Sequence, residues 1–372
     1  MAGSFKERVL LTGGSGFIAS HVLDTLLAHG FSVVVTARSP EKGQAIVGSL
    51  DESLRADVAF AVVEDVAQDG AFDHVFQSEL SFDYVIHTAS PYSFKVEDPV
   101  RDFLDPAIKG TTGILKSIKA HGPSVKRVVI TSSSAAILNP LKHEKVYDES
   151  KWAPFTWDDA IANPQFGYPS SKVSSHAPAR QVGLSQPRRT PGTEPPVTGT
   201  QKLAEQAAWA FVADEKPSFD LATICNTYTF GPVQRQLPAL DAVNTSNQRI
   251  RDLALGRMRG GLEPTAPVFT WADVRDVALA HVRAATRPAA GGKRFYVVGG
   301  YFSNKRLADV IRAGHPELAG RLPPGGAGDD FPRGVYGFDN RRSREVLGIE
   351  YRPLEDSVMD TVASLLEWQS RH

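Results

Sequence analysis

Arg8-Val-Leu-Leu-Thr-Gly-Gly-Ser-Gly-Phe-Ile-Ala-Ser20 decides how the rest of the chain folds. Val9, Leu10 and Leu11 make a short buried strand, and Thr12 to Gly16 a tight turn. From Phe17 the apolar positions Phe17, Ile18, Val22, Leu23, Leu26 and Leu27 recur at helical spacing. A strand that ends in a glycine turn and opens directly into a helix suits an anion. The helix's first N–H groups are unpaired and its dipole is positive there, so a pyrophosphate fits. Gly13 and Gly16 let the backbone turn and approach phosphates, and the small Ala19 lets helix and strand pack closely. The spacing is G-x-x-G-x-x-A rather than G-x-G-x-x-G. A glycine turn of any other α/β protein would look the same in isolation, so its neighbours must decide.

Working outward, Phe31–Thr36 (FSVVVT) is a second strand rich in β-branched residues. Ala37-Arg-Ser-Pro-Glu-Lys42 follows, where the adenosine ribose of a dinucleotide would sit. An acidic residue there accepts hydrogen bonds from a free 2′-hydroxyl; this chain instead has Arg38 with Lys42 four residues on. Cations at that place favour a 2′-phosphate, and hence NADPH over NADH. Val58–Val63 is a third strand, and Asp65, in Glu64-Asp65-Val66 after it, is placed to meet the adenine edge. Asp83 to Pro91 (DYVIHTASP) is a fourth strand running into a small-residue turn, Thr88-Ala89-Ser90. A helical pattern spans Asp98–His121, and Val125–Ile130 is a fifth strand ending in Thr131-Ser-Ser-Ser134. Strands at Phe219–Thr223 and Arg294–Val298 and a helix at Val274–Ala285 come later. Strands alternating with helices imply right-handed crossovers and an α/β, doubly wound parallel sheet of the Rossmann type. Ligands bind such sheets at the carboxyl ends of strands, where Gly13, Arg38, Ala89 and Ser133 all fall.

Tyr168 and Lys172 are four residues apart, which on a helix puts both on one face. A phenol titrates near pH ~10, and an adjacent ammonium lowers that value by stabilising the phenolate. Tyr168 can then serve as general acid to a carbonyl oxygen. Ser133, at a strand's carboxyl end, can donate a hydrogen bond to the same oxygen as charge develops. Ser132 and Ser134 are alternatives that chemistry alone does not separate from it. Y-x-x-x-K is common by chance and gains weight only beside the glycine and T-S-S turns.

With those residues in place, the chain resembles the extended short-chain dehydrogenase/reductases. Within them it is similar to the fungal branch of NADPH-dependent aldehyde/ketone reductases, kin to yeast methylglyoxal reductases and plant dihydroflavonol reductases. TGGSGFIASH, TARSPEK, AFDHVFQ, HTASP, VKRVVITSSSAA, YPSSK, TFGP and DVRDVALAH carry the likeness, from about residue 8 to 285. The resemblance implies a Ser133/Tyr168/Lys172 triad. It also implies NADPH contacts from Thr12, Gly13, Gly16, Phe17, Ile18, Arg38, Lys42, Asp65, Val66, Thr88, Ala89 and Ser90, with Tyr168 and Lys172. No metal is expected. The Rossmann domain is expected at 1–225 and 273–300, with a smaller substrate lobe at 226–272 and 301–372. Tyr92, Phe94, Ser134 and Asn226 are the candidate pocket residues, with Trp152 and Phe155 nearby. Ser134 stands where the yeast reductase has tyrosine, and Asn226 where the family usually has a proline against the nicotinamide. The substrate is a small carbonyl compound; secondary metabolism and broad detoxification both remain open as settings.

A larger departure follows Lys172. The family runs K-x-A-E-x-A-A-W as one helix, whereas here Val173–Gln201 intervenes, polar and with five prolines, before Lys202-Leu-Ala-Glu-Gln-Ala-Ala-Trp209. Removing it leaves YPSSK-KLAEQAAWAF, a helix with Leu203, Ala207 and Phe211 on one stripe. Val-Ser at its start and Gln at its end are encodable as splice-donor-like and acceptor-like sequences. The segment therefore reads as a retained in-frame intron, the alternative being a surface insertion; if translated, it should fray the helix and weaken catalysis.

Composition sets the remaining limits. The 372 residues are 42% hydrophobic and 22% charged with a net charge of −1, so nucleic acid and anionic membranes are not expected partners. No run approaches a membrane span. The single cysteine, Cys225, sits in an apolar run and reads as a buried thiol in a reducing compartment. The first strand follows Met1 too closely for a signal peptide, so a cytoplasmic monomer or homodimer is expected. Two other functions share the fold: a nucleotide-sugar epimerase or dehydratase, opposed by Arg38 and Lys42, and a non-catalytic cofactor sensor, opposed by Tyr168 and Lys172.

Overall fold

The structure, a computed structural model, describes residues 6–89, 104–156, 198–265, 267–326 and 328–371. Its strands are β1 (Arg8–Thr12), β2 (Ser32–Ala37), β3 (Val58–Val62), β4 (Tyr84–His87), β5 (Arg127–Ser133), β6 (Val146–Tyr147), β7 (Asp220–Asn226), β8 (Tyr228–Phe230), β9 (Thr270–Asp273), β10 (Lys293–Val297), β11 (Gly300–Tyr301) and β12 (Gly337–Phe338). Seven of them form one sheet in the order β10-β7-β5-β4-β1-β2-β3, every pairing parallel. The order reverses on either side of β1, as a doubly wound sheet requires, and opens a crevice at the strands' carboxyl ends.

Alternation along the strands explains the two layers. Val9 and Leu11 point into one core with α1 (Phe17–Ala28), α2 (Pro40–Gly48) and a helix at Val274–Thr286. Leu10 points into the other, with α3 (Asp73–Phe76), α4 (Asp105–His121) and α5 (Thr198–Glu215). All three β1 residues are fully buried, so Leu10→Ala would destabilise by about 2–5 kcal/mol.

A third core is separate from the main sheet. Phe230 of β8, Trp271 of β9 and Phe302 stack and cross with ring centroids 5.9 Å and 4.9 Å from Phe230. Around them pack α6 (Thr245–Ala254), α8 (Asn304–Gly314) and α9 (Leu354–Arg371), with the sheet β11-β9-β8 beneath, whereas α7 (Val274–Thr286, the helix named above) belongs to the first core. Among the described residues, these elements share a core of their own.

Two strands outrun their expected ends. β5 continues through Thr131-Ser132-Ser133, and β7 through Cys225-Asn226, because these residues pair with each other across the sheet. The T-S-S stretch is therefore strand rather than turn, and Ser133 and Asn226 end opposite one another. The stripe expected on α5 is also shifted: Thr200, Ala204, Glu205 and Ala208 are its buried positions, and Leu203, Ala207 and Phe211 are half-buried.

Candidate active site

The glycine turn takes the form that its sequence requires. Gly13 has φ +72°, and a Cβ there would lie 3.0 Å from the Ala89 backbone, so both conformation and space exclude a side chain. The turn is tied to β2, Gly13 N–H donating to Thr36 Oγ1 (3.2 Å) and Gly14 N–H to Thr36 O (3.1 Å). Gly16 caps α1 without a side-chain acceptor, and the first turn of α1 holds no acidic residue. The helix's leading N–H groups and its positive dipole end therefore face the crevice together. Gly14 is a further constrained position, since a Cβ there would come 2.9 Å from Val35 Cβ. Nothing in the motif's spacing marks it, because the constraint comes from a neighbouring strand.

Thr12 is fully buried beneath the turn. Its hydroxyl meets His87 Nδ1 (2.9 Å) and accepts from Ala89 N–H (3.1 Å), while Thr88 Oγ1 donates to Thr12 O (2.6 Å). These bonds bind the ends of β1 and β4 together and hold the Thr88-Ala89 turn against Gly13. Burial lowers the His87 pKa to about 4, so the ring is neutral at physiological pH. Ser90, Tyr92 and Phe94 lie outside the described residues.

At the end of β2, Arg38 and Lys42 are both exposed, and among the described residues neither forms an ion pair. Between them Ser39 caps α2, accepting from Lys42 N–H (3.4 Å) ahead of Pro40. Two such cations at a helix N-terminus have the chemistry to receive a dianionic phosphate. Ser39, between the two cations, is a cap that the sequence reading passes over, although Ser-Pro before a helix is its signal. Asp65 is exposed after β3, with Oδ1 accepting from Ala67 N–H (2.9 Å), and Val66 beside it is half-buried.

The three serines, alternatives in sequence, separate by environment. Ser132 points away from the crevice and donates to Glu205 Oε2 (2.6 Å). Ser134 is buried at 7% exposure. Ser133 is half-buried and accepts from Ala135 N–H (3.1 Å), which leaves its own hydroxyl proton without a partner among the described residues. Glu205, missed from sequence, braces this strand end. It accepts from Arg294 Nε (2.7 Å) and Thr223 Oγ1 (2.7 Å), and Arg294 in turn stacks 3.6 Å over Trp152. Burial pushes the Glu205 carboxyl up, but Arg294 and the hydroxyls of Ser132 and Thr223 outweigh it and hold it below its usual value. Its signal in the sequence is the Glu of the K-x-A-E-x-A-A-W pattern that Lys202–Trp209 matches. Trp152 and Phe155 belong to the packing here: Phe155 is buried and Trp152 lies against Arg294. Cys225 is fully buried, with its thiol pushed up by burial and by Glu205.

Tyr168 and Lys172 lie outside the described residues. What is described is the helix that follows them. α5 begins at Thr198, so its first turn is made by Thr198–Gln201, the last four residues of the proline-rich segment. That helix packs against Ser134–Ala136, next to Ser133. If Lys172 joined Lys202 directly, Pro169–Lys172 would fill the turn that Thr198–Gln201 fills, and buried Thr200 would give way to Ser171. Among the described residues no helix is long and apolar enough to cross a membrane, and no group of three or more His, Cys, Asp or Glu could hold a metal ion.

Known proteins are similar to this chain over nearly all of its length. A family model described as the NAD dependent epimerase/dehydratase family matches residues 9–183. A ketoreductase of Aspergillus niger, azaE, is 49% identical over 365 residues, covering 98% of this chain and 99% of its own. The NADPH-dependent methylglyoxal reductase GRE2 of Saccharomyces cerevisiae is 32% identical, covering 98% and 99%. Among solved structures, Gre2 of Candida albicans in complex with NADPH superposes with a TM-score of 0.82 at 32% identity, covering 97% of this chain and 99% of that one.

Proposed function

The chain belongs to the extended short-chain dehydrogenase/reductase family, in its branch of NADPH-dependent carbonyl reductases, and from that premise we propose how its residues divide the work. In the reaction a ketone or aldehyde, NADPH and one proton give an alcohol and NADP+. Bound NADPH supplies the hydride that goes to the carbonyl carbon.

The turn Gly13–Gly16 and the start of α1, with Phe17 and Ile18, receive the pyrophosphate. Arg38, Ser39 and Lys42 hold the 2′-phosphate, Asp65 and Val66 flank the adenine, and Thr88, Ala89 and Ser90 pass under the coenzyme. Thr12 acts from beneath, by fixing Ala89 against Gly13. Ser133 donates its hydroxyl proton in a hydrogen bond to the substrate oxygen. Tyr168 transfers a proton to that oxygen, and Lys172 keeps the phenol acidic enough to do so at neutral pH. Ser134, Asn226, Tyr92 and Phe94 shape the pocket, and the ketoreductase relative supports a ketone as the substrate. A dedicated biosynthetic step is the setting we favour over general detoxification.

One observation carries the assignment of the reacting serine. Ser133 is part-exposed at a strand end facing the crevice and its hydroxyl proton has no acceptor among the described residues, whereas Ser132 gives its own to Glu205 and Ser134 is buried. NADPH consumption with a panel of ketones and aldehydes tests the reading. The wild type should oxidise NADPH in step with alcohol formation and Ser133→Ala should not, while Ser133→Ala still binds NADPH. Equal turnover by the two proteins overturns the assignment.

A second reading rests on the first turn of α5. With Thr198–Gln201 making the first turn of the helix that packs against Ser134–Ala136, the full chain binds NADPH but turns over slowly, and the efficient enzyme is the product of a message spliced to join Lys172 to Lys202. Sequencing the transcript tests it; a message that keeps the segment in most copies speaks against splicing.

A further inference from the structure

Asn226 closes β7 directly opposite Ser133 in the parallel register. Neighbouring strands lie about 4.8 Å apart, and paired residues present their side chains to the same face. The amide's orientation follows from its neighbours. Thr229 Oγ1 donates to Thr227 O (2.8 Å), so that hydroxyl has only acceptor capacity left for Asn226. Asn226 Nδ2 fills it at 3.0 Å and also reaches Thr227 O at 3.4 Å. A flipped amide would set Oδ1 against two acceptors. Oδ1 therefore points the other way, where it is buried and has no hydrogen-bond partner among the described residues, although the residue as a whole is part-exposed. A buried acceptor without a donor is costly, and native structures rarely keep one without a use.

We propose that Asn226 Oδ1 is a ligand acceptor, taking a hydrogen bond from an N–H or O–H group bound over the ends of β5 and β7. This rests on the reading that the reacting carbonyl sits at Ser133. The carboxamide NH2 of the nicotinamide and a hydroxyl on a carbon next to the substrate carbonyl both offer that chemistry. A ligand that parts the cover over Oδ1 gains the bond that the acceptor lacks. The amide side chain here then does more than leave space: it selects a donor.

Two variants separate the sources. Asn226→Leu removes the acceptor, and Thr229→Val removes the partner of Nδ2 while leaving Oδ1 in place. Each is measured for NADPH affinity by fluorescence titration, and for kcat/KM on a ketone with and without the neighbouring hydroxyl. Melting temperature serves as a folding control. If the donor is the carboxamide, Asn226→Leu weakens NADPH binding about 3- to 10-fold. If it is the substrate, NADPH affinity holds and the preference for the hydroxy ketone falls by a similar factor. In either case Thr229→Val leaves both quantities near wild type. Unchanged affinity and unchanged preference in Asn226→Leu, or the same losses in Thr229→Val, overturn the proposal. Should the wild type reduce no carbonyl, the functional reading fails; weaker NADPH binding by Asn226→Leu then still supports the ligand acceptor, and unchanged binding overturns it.

Discussion

Removing residues 173–201 should create a faster enzyme. In the full chain, four residues of that segment make the first turn of α5, about 6 Å of a helix that packs against Ser134–Ala136. Joining Lys172 to Lys202 puts Pro169–Lys172 in that turn and Tyr168 one residue ahead of it, next to Ser133. A positioned general acid contributes typically 10²–10⁴-fold, so kcat should rise by about 100-fold or more. With Lys172 in that turn and near the ribose, NADPH should bind more tightly. The assay compares both purified forms at saturating NADPH and ketone, with melting temperatures to show that each is folded. Equal kcat values in two folded proteins would refute the argument, because they would mean that the turn is not where the tyrosine and lysine act.

Further outcomes follow from the same geometry. Arg38→Ala should raise the NADPH dissociation constant by about 10-fold or more, from losing a charge-assisted bond to phosphate, and leave NADH binding unchanged in parallel titrations. Ser132→Ala should lower the melting temperature by taking a donor from buried Glu205, while Ser133→Ala should leave it near wild type and lower kcat instead. Stability should fall in mild acid. Burial holds His87 and His281 down at about 4, against an ordinary 6.5, so below pH 6.5 the unfolded chain binds protons that the folded chain does not. That stability is complete above pH 6.5 and is lost as pH drops towards 4, on the order of 3 kcal/mol for each histidine. Urea unfolding at stepped pH checks this; a flat profile would contradict it.

The parts of the fold that are readable from sequence are those where one local cause suffices. Val9-Leu10-Leu11 alternate between two cores, and Gly13 needs both its φ and the room beside Ala89, so residue type alone marks strand and turn. The end of β5 is not marked, because Thr131–Ser133 stay in the sheet only through pairing with Ile224–Asn226, about ninety residues away. Glu205 escapes for a similar reason: its partners Ser132, Thr223 and Arg294 come from three separate strands. The stripe on α5 moves because the helix starts at Thr198 and turns Thr200, Ala204 and Ala208 inward. Motifs in order carry the family, whereas choosing one serine among three needs the hydrogen bonds.

Transfer of label from NADPH deuterated at C4 of the nicotinamide tests the central claim most directly. With a ketone that the protein consumes, one deuterium should appear on the carbinol carbon for each NADP+ formed. An unlabelled alcohol, or a converted substrate with no net NADPH oxidised, would contradict it.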